Sequence, residues 1–521
     1  MKNKKLITSK EAAEMVKDGM TVGLSSFLAY GQPETLCKAL GQRFDTTGTP
    51  NNLTLFYSAP VGIPDGSGVD HLAREGLVKR VVAGHWNLHP AMGKLAMENK
   101  IEAYNLPQGA LSRLTREMAA HGPGVFSHVG LNTFVDPRVS GGRLNERTTE
   151  DLVEVCVIEE KEYLRFKPLK LDIVFIRGSY ADENGNISVE KEGLSIDIAS
   201  MAQAAHNNGG KVVAQVEKIV PAGTLDPWKV KIPGFMVDAI VLPDDPMDQA
   251  QCRGADGFDG SICGEGRVPA EAITPIPLDA RKIIARRAAM FLKKDISVNL
   301  GIGMPEMVAK VAAEEGFTDI MTLTVESGAI GGTPRSGKAF GANTNVEAIL
   351  DQPAQFDFYD GGGLDQCYLG LAQADGDGNV NVSMFNGRLA GCGGFIDIAQ
   401  NSHQVTFCGT FTAGGLEIET GNGELKIVKE GRNPKFVANV DQVTFSARYA
   451  VENGQPVHFV TERAVFRLGK DGLELIEIAP GIDMQKDILD LMAFRPIIAS
   501  DLKLMDYRIF RDAKMGLELS E

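Results

Sequence analysis

The sequence predicts an α/β protein made of two related, open, mainly parallel α/β domains. Three observations lead there: short Val/Ile/Leu runs alternate with amphipathic helical patterns, three segments recur in the same order in the two halves, and an Asp/Gly/Pro-rich stretch separates the copies. Strands covered on both faces read as continuous apolar runs, and their alternation with helices marks parallel sheets. The 521 residues suffice for two or more domains, and 43% hydrophobic with 23% charged residues is an ordinary globular composition.

The repeats set the element order. Lys10–Leu24 and Lys282–Gly301 each read as an amphipathic helix running into a β-branched strand, followed by a glycine turn that reaches Pro-Glu: Gly31-Gln32-Pro33-Glu34 and Gly303-Met304-Pro305-Glu306. Leu53-Thr54-Leu55 and Leu323-Thr324-Val325 are short apolar strands. Tyr180–Ile187 and Gln373–Val380 share A-D-x-x-G-N before a strand, which is turn chemistry. Three pairs in order favour duplication over chance. Ile173–Ile176, Lys211–Val216 and Ala239–Leu242 are further core strands, whereas Val440–Leu475 reads as short antiparallel strands. The expected division is residues 1–241, a connection over 242–278, and 279–521.

Composition excludes several classes of function. The net charge of -15, with no Lys/Arg run, opposes binding to nucleic acid or anionic membrane. Seven scattered cysteines form no CxxC or Cys/His cluster, so a reduced, cytoplasmic protein without a metal site is expected. No signal peptide or membrane-spanning stretch is evident.

Several local patterns can carry chemistry. The loop Gly301-Ile302-Gly303-Met304-Pro305 joins a strand to a helix, where backbone N–H groups favour phosphate. A dinucleotide fingerprint would need glycine where Glu306 stands, which speaks against a nicotinamide-dependent oxidoreductase. Glu326 ends an apolar strand just before Ser327-Gly328, whereas the matching strand of the first half, continuing into Phe56-Tyr57-Ser58, has no carboxylate. Ligands in open α/β sheets bind beyond such strand ends. The clusters Gly361-Gly362-Gly363 and Gly391-Cys392-Gly393-Gly394 let backbone approach a ligand or serve as plain turns. His85, Trp86 and His89 lack a ligand or nucleophile pattern and read as packed or surface residues. Glu462 is a second carboxylate, but its neighbour Arg463 points to an ion pair.

Taken in order, these motifs resemble the family I CoA-transferases, in the short-chain acyl (propionate and acetate) branch. The resemblance runs over nearly the whole chain through EGLVKR from Glu75, AGHW from Ala83, YNLPQG from Tyr104, TFVDPR from Thr133, the Glu326 motif, FYDGGGLD, GCGGFID, FCGTFTAGG and VTERAVF. It implies that Glu326 is the nucleophile and that Gln108 and Gly394 stabilise an oxyanion. It implies CoA contacts at Gly301, Ile302, Gly303, Met304, Pro305, Gly362, Gly363, Gly391 and Gly393. It also implies an active site at the domain interface and a homo-oligomer, dimeric or tetrameric.

The chemistry so implied is ping-pong transfer of CoA between a short-chain acyl-CoA and a free acid such as acetate, propionate, butyrate or lactate. It proceeds through a glutamyl-CoA thioester, with CoA as substrate and covalent intermediate and no permanently bound cofactor. An acyl-CoA hydrolase on the same scaffold is the alternative. The segments Ser25–Gly31 and Ser58–Ile63 depart most from the propionate-enzyme pattern; the first, counterpart of the glycine loop in the other half, is expected to line the acyl pocket, with Tyr30 narrowing it.

Overall fold

The computed structural model describes residues 5–255, 257–269, 275–317 and 320–519. Asp256 and residues 270–274, within the expected connection, lie outside the described residues. The chain folds as two units: Met1–Val268 with Val325–Asp360 and Leu389–Asp397, and Pro269–Thr324 with Gly361–Arg388 and Ile398–Glu521. Glu326 and Gly394 therefore belong to the same unit as Gln108.

The first unit is built on a seven-stranded, wholly parallel sheet. Its strands are β1 (Thr21–Leu24), β2 (Leu53–Tyr57), β3 (Val78–Ala83), β4 (Glu102–Asn105), β5 (Ile173–Arg177), β6 (Lys211–Gln215) and β7 (Ala239–Val241). Their spatial order is β7-β6-β5-β1-β2-β3-β4. The order reverses between β1 and β5, and ligands of such sheets bind beyond the strands' carboxyl ends at that reversal. Every residue of central β5 is buried, as its unbroken IVFI run predicts. Leu24, Leu55, Val81, Phe175 and Val213 share one core, each such side chain contributing about 1.5–3 kcal/mol of burial.

Helix boundaries follow local chemistry. Thr8 and Glu11 form a reciprocal capping box on Ser9–Met15. Helix Glu34–Thr47 starts after Pro33 and stops at Gly48, whose φ of 68° is left-handed.

The second unit's sheet contains β8 (Ile296–Leu300), β9 (Met321–Thr324), β10 (Gln366–Gly370), β11 (Gln404–Cys408), β12 (Val457–Val460), β13 (Ala464–Gly469), β14 (Gly472–Ile478) and β15 (Ile497–Leu504). They lie in the order β9-β8-β10-β11-β12-β13-β14-β15. The first five run parallel and reproduce the order β2-β1-β5-β6-β7 of the first unit. β12, β13 and β14 are antiparallel neighbours, in keeping with the alternating pattern there, and β15 returns parallel to β14.

The duplication extends to single hydrogen bonds. In one turn the Asp182 carboxylate accepts from the Asn186 backbone and side-chain amides, both at 2.9 Å. In the other, Asp375 accepts from the same two groups of Asn379 at 3.0 and 3.1 Å. Gly185 and Gly378 take φ of 87° and 94° in these turns. Each turn leads into the second strand of an antiparallel pair.

Glu462 is fully buried in the second unit. Its carboxylate accepts from Arg463 Nε at 2.6 Å and from the Phe411 N–H at 2.8 Å, and Arg463 also reaches Glu430 and the Asp487 carbonyl. This is the ion pair that the adjacent charges suggested. Removing Glu462 leaves Arg463 with Glu430 and the Asp487 carbonyl but unpairs its buried Nε and the Phe411 N–H, so Glu462→Ala is expected to lower stability by about 3–5 kcal/mol. A denaturant titration reads this as an earlier midpoint.

Candidate active site

The carboxyl ends of β1 to β4 deliver Ser25, Ser58, Gly84 and Pro107-Gln108 to one edge of the first unit's sheet. The segment Leu389–Asp397 is bound there by backbone. The Gln108 N–H donates to Gly393 O at 2.9 Å, and the Gly393 N–H donates to Gly84 O at 2.7 Å. The Trp86 and Asn87 N–H groups both donate to Ala390 O, at 3.0 and 2.9 Å. Buried Asn105 spans the junction: its amide donates to Ala83 O and Gly84 O at 3.2 and 2.7 Å, and its carbonyl accepts from the Cys392 N–H at 2.9 Å.

Glycine is required where this segment meets β3. A Cβ on Gly391 would lie 2.9 Å from Trp86 N, and its φ is 84°. A Cβ on Gly84 would lie 2.2 Å from Ser58 O and 3.3 Å from Gln108 Cα. Asp397 accepts the Gly109 N–H at 3.2 Å, and a Cβ on Gly109 would strike that carboxylate at 2.2 Å. Burial raises the Asp397 carboxyl well above its ordinary range, and neighbouring Asp360 adds to the effect.

Gln108 is 2% exposed, and its Nε2 has no hydrogen-bond partner among the described residues. Its Oε1 lies 3.8 Å from where a Cβ on Gly393 would stand. Gly394 follows and precedes helix Phe395–Asn401. A side-chain amide and a backbone N–H on adjoining segments are donors of the kind that stabilise a developing oxyanion. His85 borders Gly393, its Cδ2 being 3.6 Å from that Cβ position, and burial pushes its pKa down to about 4, so it is neutral near pH 7.

Glu326 is half-buried in a tight turn just beyond β9. The Gly328 N–H donates to Val325 O at 3.0 Å, and the Val325 N–H donates to Ala329 O at 2.9 Å. The buried Ser327 hydroxyl donates to Gly341 O at 2.5 Å. Gly328 has φ of 114°, and a Cβ there would lie 2.0 Å from Leu350 O. The E-S-G sequence is thereby explained: serine ties the turn down, and only glycine permits the backbone approach.

In the second unit, the Gly301 N–H donates to Tyr368 O at 2.8 Å, and a Cβ on Gly301 would come within 3.3 Å of Leu369. Ile302 is exposed, and Gly303 has φ of 91°. The Gly303 N–H is taken by the Glu306 carboxylate at 2.9 Å, so the residue that breaks the dinucleotide pattern closes this loop. Met304 and Pro305 lead into helix Glu306–Glu315. Gly362 has φ of 81°, and Gly363 O accepts from the Ser297 hydroxyl at 3.0 Å.

Residues 6–242 match the family model described as coenzyme A transferase. The chain is 47% identical over 517 residues to acetate CoA-transferase YdiF of Escherichia coli (strain K12), covering 99% of this chain and 97% of that one. It is 46% identical over 519 residues to caffeate CoA-transferase of Acetobacterium woodii, covering 99% of each. The crystal structure of the acyl-CoA transferase YdiF apoenzyme from Escherichia coli O157:H7 superposes with a TM-score of 0.94 at 46% identity, over 99% and 98% of the two chains. A YdiF thioester complex with CoA matches with a TM-score of 0.93 over the same shares. The chain belongs to the family I CoA-transferases.

In this CoA-transferase, Gln108, Gly391, Gly393 and Gly394 come together in the first unit, and the Glu326 turn belongs to that unit as well. Gly301–Pro305, Gly362 and Gly363 lie in the second. Sequence reading missed Asn105 and Asp397, which join segments nearly 290 residues apart; Asn105 stood in the quoted YNLPQG run and Asp397 in GCGGFID, but nothing local marks their partners. Gly328→Ala is expected to fold yet lose more than about 10² of its transfer rate, because relieving the clash with Leu350 O must displace Glu326. Steady-state assay beside circular dichroism tests this.

Proposed function

We propose that the enzyme transfers CoA between a short-chain acyl-CoA and a free short-chain carboxylate, such as acetate, propionate, butyrate or lactate, through a covalent Glu326–CoA thioester. A Glu326 carboxylate oxygen attacks the thioester carbonyl, giving a mixed anhydride and CoA thiolate. The thiolate attacks the glutamyl carbonyl, forming glutamyl-CoA and releasing the first acid as carboxylate. The second acid reverses both steps and leaves as its CoA ester. Each addition creates an oxyanion, which Gln108 Nε2 and the Gly394 N–H receive in this proposal.

The observation that carries this reading is the buried, unpartnered Gln108 Nε2 on the segment clamped to the Gly391–Gly394 turn. An amide donor left without a protein acceptor costs about 1–3 kcal/mol and is explained by a ligand that supplies one. The 47% identity to an acetate CoA-transferase and the thioester complex of its homologue support the same chemistry. Both full-length relatives above are named as transferases, which favours transfer over hydrolysis. CoA contacts at Gly301–Pro305, Gly362–Gly363 and Gly391–Gly393 and homo-oligomeric assembly belong to the same proposal and rest on the family resemblance; a cytoplasmic location rests on the scattered cysteines.

Incubation with propionyl-CoA, digestion and mass spectrometry should find CoA on the Glu326 peptide, and borohydride should inactivate the enzyme only after acyl-CoA exposure. Glu326→Ala should abolish both. Turnover of acyl-CoA without an adduct at Glu326 would refute the mechanism. Gln108→Met should lower kcat by about 10²–10³, the usual effect of losing one oxyanion donor.

A further inference from the structure

We propose that Gln352 is the residue that receives the carboxylate of the free acid substrate, with Ser58 and Asp197 holding its amide in the donating orientation. The inference rests on the transferase reading above and assigns the acid's own binding position.

Gln352 is fully buried at the start of helix Gln352–Asp360, and its Nε2 has no partner among the described residues. It lies between the two halves of the chemistry. Two residues before it, the Leu350 N–H donates to Gly328 O at 2.9 Å, in the turn that carries Glu326. Its own Oε1 is 3.0 Å from Ser58 Oγ, and Ser58 O lies against Gly84, which lies against Gln108. These contacts link Gln352 to the turn that carries Glu326 and, through Ser58 and Gly84, to Gln108.

In this orientation of the amide its oxygen faces Ser58 and its nitrogen is left open. Ser58 has one hydroxyl proton but lies 2.6 Å from Asp197 Oδ2 as well as 3.0 Å from Gln352. Ser25 donates to the other Asp197 oxygen at 2.5 Å. With Ser58 donating to Gln352 Oε1, Asp197 must supply the proton to Ser58, and complete burial of Asp197 raises its pKa in that direction. The chain Asp197–Ser58–Gln352 then ends in a free N–H.

Backbone strain supports the assignment. Ile196, a β-branched residue, has φ of 52°, and its carbonyl accepts the Gln352 N–H at 2.8 Å while Asp197 follows it directly. β-Branched residues avoid this region, and strain of this kind is kept where surrounding structure over-determines a functional geometry. The apolar cluster of Phe27, Tyr30, Ile196, Val325, Ala329 and Phe340 packs alongside. Nearby Arg335 and Lys231 are paired with Asp259 and Asp351. A neutral amide for one carboxylate, next to apolar side chains, selects a monocarboxylate with a short apolar tail.

The test isolates the second half-reaction. The enzyme–CoA adduct is prepared with saturating acyl-CoA, and its consumption is followed against acetate or propionate concentration. Gln352→Met should raise the half-saturating acid concentration about tenfold or more, with a much smaller change in the limiting rate. Ser58→Ala should raise it less, since the donor remains but is no longer oriented. If Gln352→Met does not fold, Gln352→Glu, of the same size, should raise it further still by repulsion. An unchanged or lowered half-saturation overturns the proposal, because an acceptor facing the acid would repel it and its removal would help. Absence of any adduct in the wild type sinks the Glu326 mechanism instead, so the two failures are distinguishable.

Discussion

The site depends on a set of backbone hydrogen bonds between the Leu389–Asp397 segment and the ends of β3 and β4. Gln108 N–H to Gly393 O and Gly393 N–H to Gly84 O fix the segments of the two proposed oxyanion donors to one another. Asn105 closes the set from within, using both amide protons and its carbonyl. These bonds are buried, so an unmade partner would cost its full desolvation. A donor pair held this way need not reorganise as charge develops, and that is the condition under which electrostatic stabilisation is largest.

Around this clamp the first unit arranges its polar groups unequally. Asn105 is fully satisfied and has a holding role. Gln108 and Gln352 each keep a buried amide nitrogen without an acceptor among the described residues. Asp197, between two serine hydroxyls, and Asp397, on the Gly109 N–H, are carboxyls whose pKa burial raises. Glu326 alone among these carboxylates is partly open to solvent, which suits the ionised state that its proposed role requires.

Duplication explains how one scaffold supplies both kinds of part. Five strands have the same order in the two units, and the Asp182–Asn186 and Asp375–Asn379 turns are the same structure. The copies diverge at strand ends. β2 runs on to Ser58, which belongs to the Asp197–Gln352 network, while β9 runs on to Glu326. Their Pro-Glu helix starts diverge in use too: Glu34 binds the Gly68 N–H and His71 within the first unit, whereas Glu306 folds back onto Gly303.

The sequence by itself determined the α/β class and the duplication, and it singled out Glu326, Gln108 and the glycine clusters as candidates. Those features are local: apolar runs, turn residues and glycines act through neighbours a few positions away. Only the tertiary structure decided that Leu389–Asp397 and Val325–Asp360 fold with the first unit, that Asn105 meets Cys392, and that Ser58 meets Gln352. Those pairings cross nearly 300 residues. An isolated asparagine, serine or glutamine carries no periodicity to reveal its partner, because a hydrogen bond depends on position in space and not on spacing along the chain.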